Sequence, residues 1–168
     1  MGLRDWLYSE LGNDFQIPGV KVYDSDPRFQ KWVNGMTHEK WVGYRNSMPT
    51  WTTCMDFLSG VHNRITTAGH YTARQYFKPG ILDSRLGYRT FYTCADGDFP
   101  QNGDFYFCVI PGGHHVGVFL ELYEGGSCFT ICGGADDANG GAICMGAKWP
   151  DGFLGWLNID EFYDDNPY

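Results

Sequence analysis

The stretch "GGHHVGVFLELYEGGSCFTIC", residues 112–132, reads as two strands joined by a short turn. Residues 115–123 and 127–132 are rich in β-branched and aromatic side chains, and Glu-Gly-Gly between them suits a hairpin loop. Alternation along the first run turns His115, Gly117 and Phe119 to one side. His114, Val116, Val118 and Leu120 face the other. Working outward, "DFYFCVI" (104–110), "GAICMG" (141–146) and "YRTFYT" (88–93) have the same character and are bounded by Gly, Pro and Asp turns. The tail, "FLGWLNIDEFY" (153–163), fits a closing strand or a last short helix. The second half is therefore an antiparallel sheet.

The first half reads as helical. "LRDWLYSEL" (3–11) sets Leu3, Trp6, Leu7 and Leu11 on one face, with Gly12 as a stop. "SDPRFQKWVNG" (25–35) offers Asp26 as N-cap, Pro27 at the first helical position and Gly35 at the end. "THEKWVGY" (37–44) and "YTARQYF" (71–77), the latter ended by Lys-Pro-Gly, are further helical segments. In "TTCMDFLSGVHNR" (52–64), Thr52 or Thr53 caps a helix whose apolar stripe is Cys54, Phe57, Leu58 and Val61. Helices first and a sheet after make an α+β chain, and 168 residues suit a single domain.

Composition excludes some partners. The formal net charge is −8, and the twelve Lys and Arg are scattered rather than gathered into a basic stripe. Phosphate neutralisation needs such a stripe, so nucleic acid is not an expected partner, and neither is an anionic membrane surface. "MGLRDWLYSELGNDF" has neither the basic start nor the apolar core of a signal peptide, and no apolar run approaches a membrane span. The expectation is synthesis in the cytoplasm, with any export left to a dedicated secretion machine or to lysis.

Two elements carry the chemistry. Cys54 opens an amphipathic helix, where unpaired amides and the helix dipole favour thiolate over thiol. His115 opens a strand, and Gly117 beside it is expected to let a helix pack closely over that face. An imidazole within reach of a thiol raises the thiolate fraction and supplies an acid for the leaving group. The bland alternatives are a small core cysteine and an ordinary strand-end histidine.

"WTTCMDFLSGV" followed by "NGDFYFCVIPGGHHVGVFLEL" resembles the papain-like cell-wall peptidases and amidases of the NlpC and CHAP groups. The shared pattern is a cysteine at a helix N-terminus, a Gly-Asp strand (Gly103-Asp104) and His-Val-Gly opening the next strand (115–117). The likeness spans roughly residues 50–145. It implies a papain-like fold, N-terminal helices packed on a C-terminal antiparallel sheet, with a helical extension over 1–50 and a catalytic core over 51–146. It also implies a cysteine hydrolase of peptidoglycan peptides, with Cys54 as nucleophile and His115 as base and acid. The Cys54 amide would serve an oxyanion hole, aided by Thr53 or Tyr44, and His114 would touch substrate. The family's imidazole-orienting residue falls at Ala135 here. Asp136 is next in line for that role, with Asp137, Asn139 or a Cys-His dyad completed by a main-chain carbonyl or water as alternatives, and a bulge at Gly133-Gly134 would turn Asp136 to the required face.

No cofactor or metal is expected. Cys128, Cys132, Cys144 and His114 are not read as a zinc site, because strand positions four apart lie along one face rather than around an ion. Core thiols, or a disulfide formed after export, account for these cysteines. Asp96, Asp98 and Asp104 are read as turn-solvating rather than calcium-binding. Small size and the missing signal peptide resemble type VI secretion amidase effectors, which implies delivery to a target cell's periplasm and a cognate immunity protein over the Cys54 cleft. A phage lysin, a papain-like toxin cleaving or deamidating a host protein, and a binding domain with structural cysteines are the competing readings.

Overall fold

The computed structural model describes residues 2–33, 39, 53–77, 98–135 and 141–165. Four helices lie among them: α1 (Leu3–Asp14), α2 (Pro27–Trp32), α3 (Thr53–Thr67) and α4 (Ile159–Phe162). Six strands form the main sheet: β1 (Lys21–Val22), β3 (Phe105–Ile110), β4 (Gly113–Leu122), β5 (Cys128–Ala135), β6 (Ala142–Gly146) and β7 (Phe153–Leu157). Their order is β1-β6-β5-β4-β3-β7, with every neighbouring pair antiparallel. A second, two-stranded sheet pairs β2 (Tyr71–Ala73) with β8 (Tyr163–Asp165). The chain is α+β with a large antiparallel sheet.

The 112–132 stretch folds as read. Glu124–Gly126 is a single 3₁₀ turn, Gly125 and Gly126 adopt φ of 83° and 87°, and the Tyr123 amide donates to the Ser127 carbonyl at 2.9 Å. Those φ values suit glycine alone without strain. Pro111-Gly112 closes the preceding hairpin, with Gly112 at φ 86°. This two-residue loop sets Ile110 opposite Gly113 and hence Tyr106 opposite Gly117.

Each face of the sheet has its own core. The even-numbered β4 residues Val116, Val118 and Leu120 share one apolar cluster with α1 (Leu3, Leu7, Leu11), α2 (Phe29, Trp32) and the α3 stripe of Cys54, Phe57, Leu58, Val61 and Ile65. Each large apolar side chain fully buried this way stabilises the fold by roughly 1.5–3 kcal/mol. On the other face Tyr106, Cys108, Phe119 and Cys128 form a smaller cluster under Trp149 and Phe153.

Several local expectations are corrected. Residues 71–77 do not form a helix: α3 ends at Thr67, His70 turns the chain at φ 62°, and Tyr71–Ala73 runs as a strand against β8. Burial of Tyr71 against the core outweighs the segment's helical spacing. Lys21–Val22 is a further strand in the half read as helical, held at the sheet edge opposite Cys144 and Ile143. Gly12 does not stop α1, because buried Leu11 and Phe15 hold the next turn and the Phe15 amide donates to the Leu11 carbonyl at 2.9 Å. α2 begins as expected, with the Asp26 carboxylate accepting from the Arg28 amide at 2.8 Å and Pro27 at the first position. The tail is both strand and helix, β7 then α4, the latter capped by Asn158. The segment 88–93, and 37–44 apart from Glu39, lie outside the described residues.

Asp104 is not a turn-solvating carboxylate. It is fully buried at the head of β3 and accepts from Arg4 Nη1 at 2.8 Å, the Gln101 amide at 2.8 Å and the Ile159 amide at 3.0 Å. It thus ties the starts of α1, β3 and α4 together. Burial pushes its carboxyl above the ordinary range, opposed by Arg4 and the two amides.

Candidate functional site

Cys54 is the second residue of α3, so its amide belongs to the first turn, whose N–H groups point out of the helix end. The α3 stripe seats this end against β4 and β5, and Cys54 is buried at 4% exposure. His115 is half-buried near the start of β4.

The two meet at Gly134. A β-carbon built there would lie 2.9 Å from His115 Cε1, 3.2 Å from His115 Nδ1 and 3.5 Å from Cys54 Cβ. The empty side of that glycine is what the Cys54 β-carbon and the imidazole share. Gly134 sits where the β5–β6 register shifts between Cys132 and Ala135, an irregularity at the expected position. His114 is exposed and stacks instead on Phe107, with ring centroids 5.1 Å apart.

Gly117 does not make room for a helix. Its missing side chain is replaced by the phenol ring of Tyr106, which lies across it from the paired strand. From there the Tyr106 hydroxyl stands 3.3 Å from His115 Nε2. The imidazole therefore turns its Cε1–Nδ1 edge to Gly134, where Cys54 also abuts, and its Nε2 to Tyr106. Tyr106 is the site residue that sequence reasoning missed. The signal was present: a two-residue Pro-Gly loop fixes the register that puts Tyr106 opposite Gly117.

Cys108 lies on β3, and Cys128 and Cys132 on β5. Cys108 is pushed up to about 12, mainly by burial and then by neighbouring Cys132, and Cys132 is pushed up to about 11 by burial. Cys128 is likewise raised by burial. These three remain thiols at neutral pH. Burial also pushes Tyr106 well above its ordinary range, reinforced by the nearby Cys132 and Cys108 and by a hydrogen bond to Cys132. Cys132 and Cys144 face each other across β5 and β6, and all five described cysteines are reduced. Among the described residues no three His, Cys, Asp or Glu side chains converge on a point that would hold a metal ion.

Of the remaining sequence-derived candidates, Asp136, Asp137, Asn139 and Tyr44 lie outside the described residues. The Thr53 backbone opens α3, and its side chain is not among the described ones. A buried thiol at a helix N-terminus, beside an imidazole fixed from behind by a phenol, can perform nucleophilic attack assisted by proton transfer. Comparison of the chain with protein-family models, with curated proteins and with solved structures returns no match.

Proposed function

We propose that the chain is a papain-like cysteine amidase or endopeptidase acting on the peptides of peptidoglycan. The observation that carries the reading is the approach of Cys54 and His115 to one point at Gly134. In the reaction His115 takes the thiol proton and Cys54 attacks the amide carbonyl. The oxyanion forms beside the Cys54 amide at the head of α3, where one such donor is worth a factor of roughly 10²–10³ in rate. His115 then protonates the departing amine, and water, activated by the same imidazole, hydrolyses the thioester. The order of cysteine, Gly-Asp and His-Val-Gly along the chain supports peptidoglycan peptides as the substrate class. In the same reading the protein acts in the periplasm of a target cell, and an immunity protein that protects the producer covers the Cys54 end of α3.

Digestion of purified peptidoglycan, with mass analysis of the released fragments, tests the proposal and names the bond cut. Cys54→Ala should lower turnover by about 10³-fold or more without a large change in thermal stability. A fully active Cys54→Ala protein would overturn the cysteine-enzyme reading.

A further inference from the structure

We infer that Tyr106 is the positioning residue of His115, holding its Nε2–H so that the unprotonated Nδ1 is turned towards Cys54. The inference rests on the proposed cysteine-hydrolase reading and adds a group that the family pattern does not contain. Three observations carry it. The Tyr106 hydroxyl is 3.3 Å from His115 Nε2. The phenol ring is itself immobilised: it is 2% exposed, lies over the bare backbone of Gly117 and packs on Phe119 with ring centroids 5.2 Å apart. The Cε1–Nδ1 edge of the imidazole is the one that faces the point at Gly134 which Cys54 Cβ also approaches.

The direction of the hydrogen bond follows from proton counting. A neutral imidazole carries one proton, and a ring that takes the thiol proton at Nδ1 must hold its own on Nε2. The Tyr106 oxygen, 3.3 Å from Nε2, then accepts from Nε2–H. A neutral imidazole with its proton on Nε2 has a bare Nδ1, which is the base that a thiol at Cys54 requires. When Nδ1 takes that proton, the same phenol oxygen stabilises the imidazolium. Gly117 is thus small in order to admit Tyr106.

Histidine ¹⁵N–¹H spectra of the full chain, with His115→Gln to assign the resonance, test this without reference to any substrate. Neutral His115 should carry its proton on Nε2. In Tyr106→Phe, which keeps the ring and removes only the hydroxyl, the tautomer preference should weaken and the His115 titration should fall by about one pH unit. The acidic limb of kcat/KM should move down with it, and kcat should drop about tenfold at nearly constant KM. The wild-type spectrum keeps the test open if Tyr106→Phe folds poorly, because a neutral His115 with its proton on Nδ1 overturns the inference by itself. A purely structural role would scale activity and leave tautomer, titration and limb unmoved, and that result overturns the inference. If Cys54→Ala is inactive while Tyr106→Phe behaves as wild type, only the role of Tyr106 falls. A fully active Cys54→Ala would instead remove the reaction on which that role depends.

Discussion

Replacing Gly134 by alanine puts a methyl group into the space that Cys54 and His115 share. The added carbon would stand 2.9 Å from His115 Cε1 and 3.2 Å from Nδ1, with Cys54 Cβ at 3.5 Å. Carbon–carbon contacts settle near 3.5–4.0 Å, so the imidazole must retreat by about 0.6–1 Å. The 3.5 Å to Cys54 is already an ordinary contact, so the histidine rather than the helix gives way. A misplacement of about 1 Å costs an enzyme on the order of 10²-fold in rate. The effect on stability should be far smaller. Overpacking costs about 1–3 kcal/mol, and the stiffer unfolded chain returns about 0.4–1 kcal/mol, since Gly134 is not among the positive-φ glycines. Gly113→Ala is the control, because a β-carbon there meets nothing within 4 Å. The assay is peptidoglycan digestion alongside Cys54 alkylation by iodoacetamide at neutral pH and thermal unfolding. The expected pattern is a loss of both turnover and alkylation in Gly134→Ala, neither in Gly113→Ala, and melting within a few degrees of wild type for both. Wild-type turnover and alkylation in Gly134→Ala would refute the placement of the reactive pair at this glycine.

Three further outcomes are expected. His115→Ala should abolish turnover while His114→Ala, whose ring stacks on Phe107 at the surface, retains most of it, and parallel kcat/KM measurements give the ranking. Arg4→Ala strands the fully buried Asp104 without its ion-pair partner at 2.8 Å, a loss of about 3–5 kcal/mol, readable as a lowered denaturation midpoint at pH 7. Asp104→Asn in the Arg4→Ala background should recover part of that loss. His62 accounts for an acid-side weakening of the fold. Burial lowers it from 6.5 to about 4, and its Nδ1 lies 2.7 Å from the Tyr163 hydroxyl. A base whose folded pKa is depressed contributes stability that is present above pH 6.5 and lost as pH falls from there through about 4. The slope for one proton should stay below about 1.4 kcal/mol per pH unit, because the ring is only partly buried. Urea unfolding between pH 7 and 4 should show this slope in wild type and lose it in His62→Gln.

The elements that the sequence alone determined are those whose causes are local. Periodicity marks the Cys54, Phe57, Leu58 and Val61 stripe, and alternation separates His115 from His114. Asp26-Pro27 starts a helix, while Gly125 and Gly126 permit a turn that other residues resist. Gly133-Gly134 was legible as a place for a bulge, since adjacent glycines cost a strand its packing and free its direction. Periodicity failed at residues 71–73, where a spacing compatible with a helix was overridden by pairing with β8, some ninety residues away in the chain. The tertiary structure decided everything that depends on which distant surfaces touch. It gave Gly117 a tyrosine rather than a helix for a neighbour, and it buried Asp104 under Arg4 instead of exposing it in a turn. It also set Cys54 and His115 on either side of one missing side chain. A residue type states what chemistry is available, and a period states which face carries it. The meeting of two faces is fixed only by the packing of the whole core, to which Leu3, Trp32, Val61 and Ile143 contribute as much as the cysteine and the histidine do.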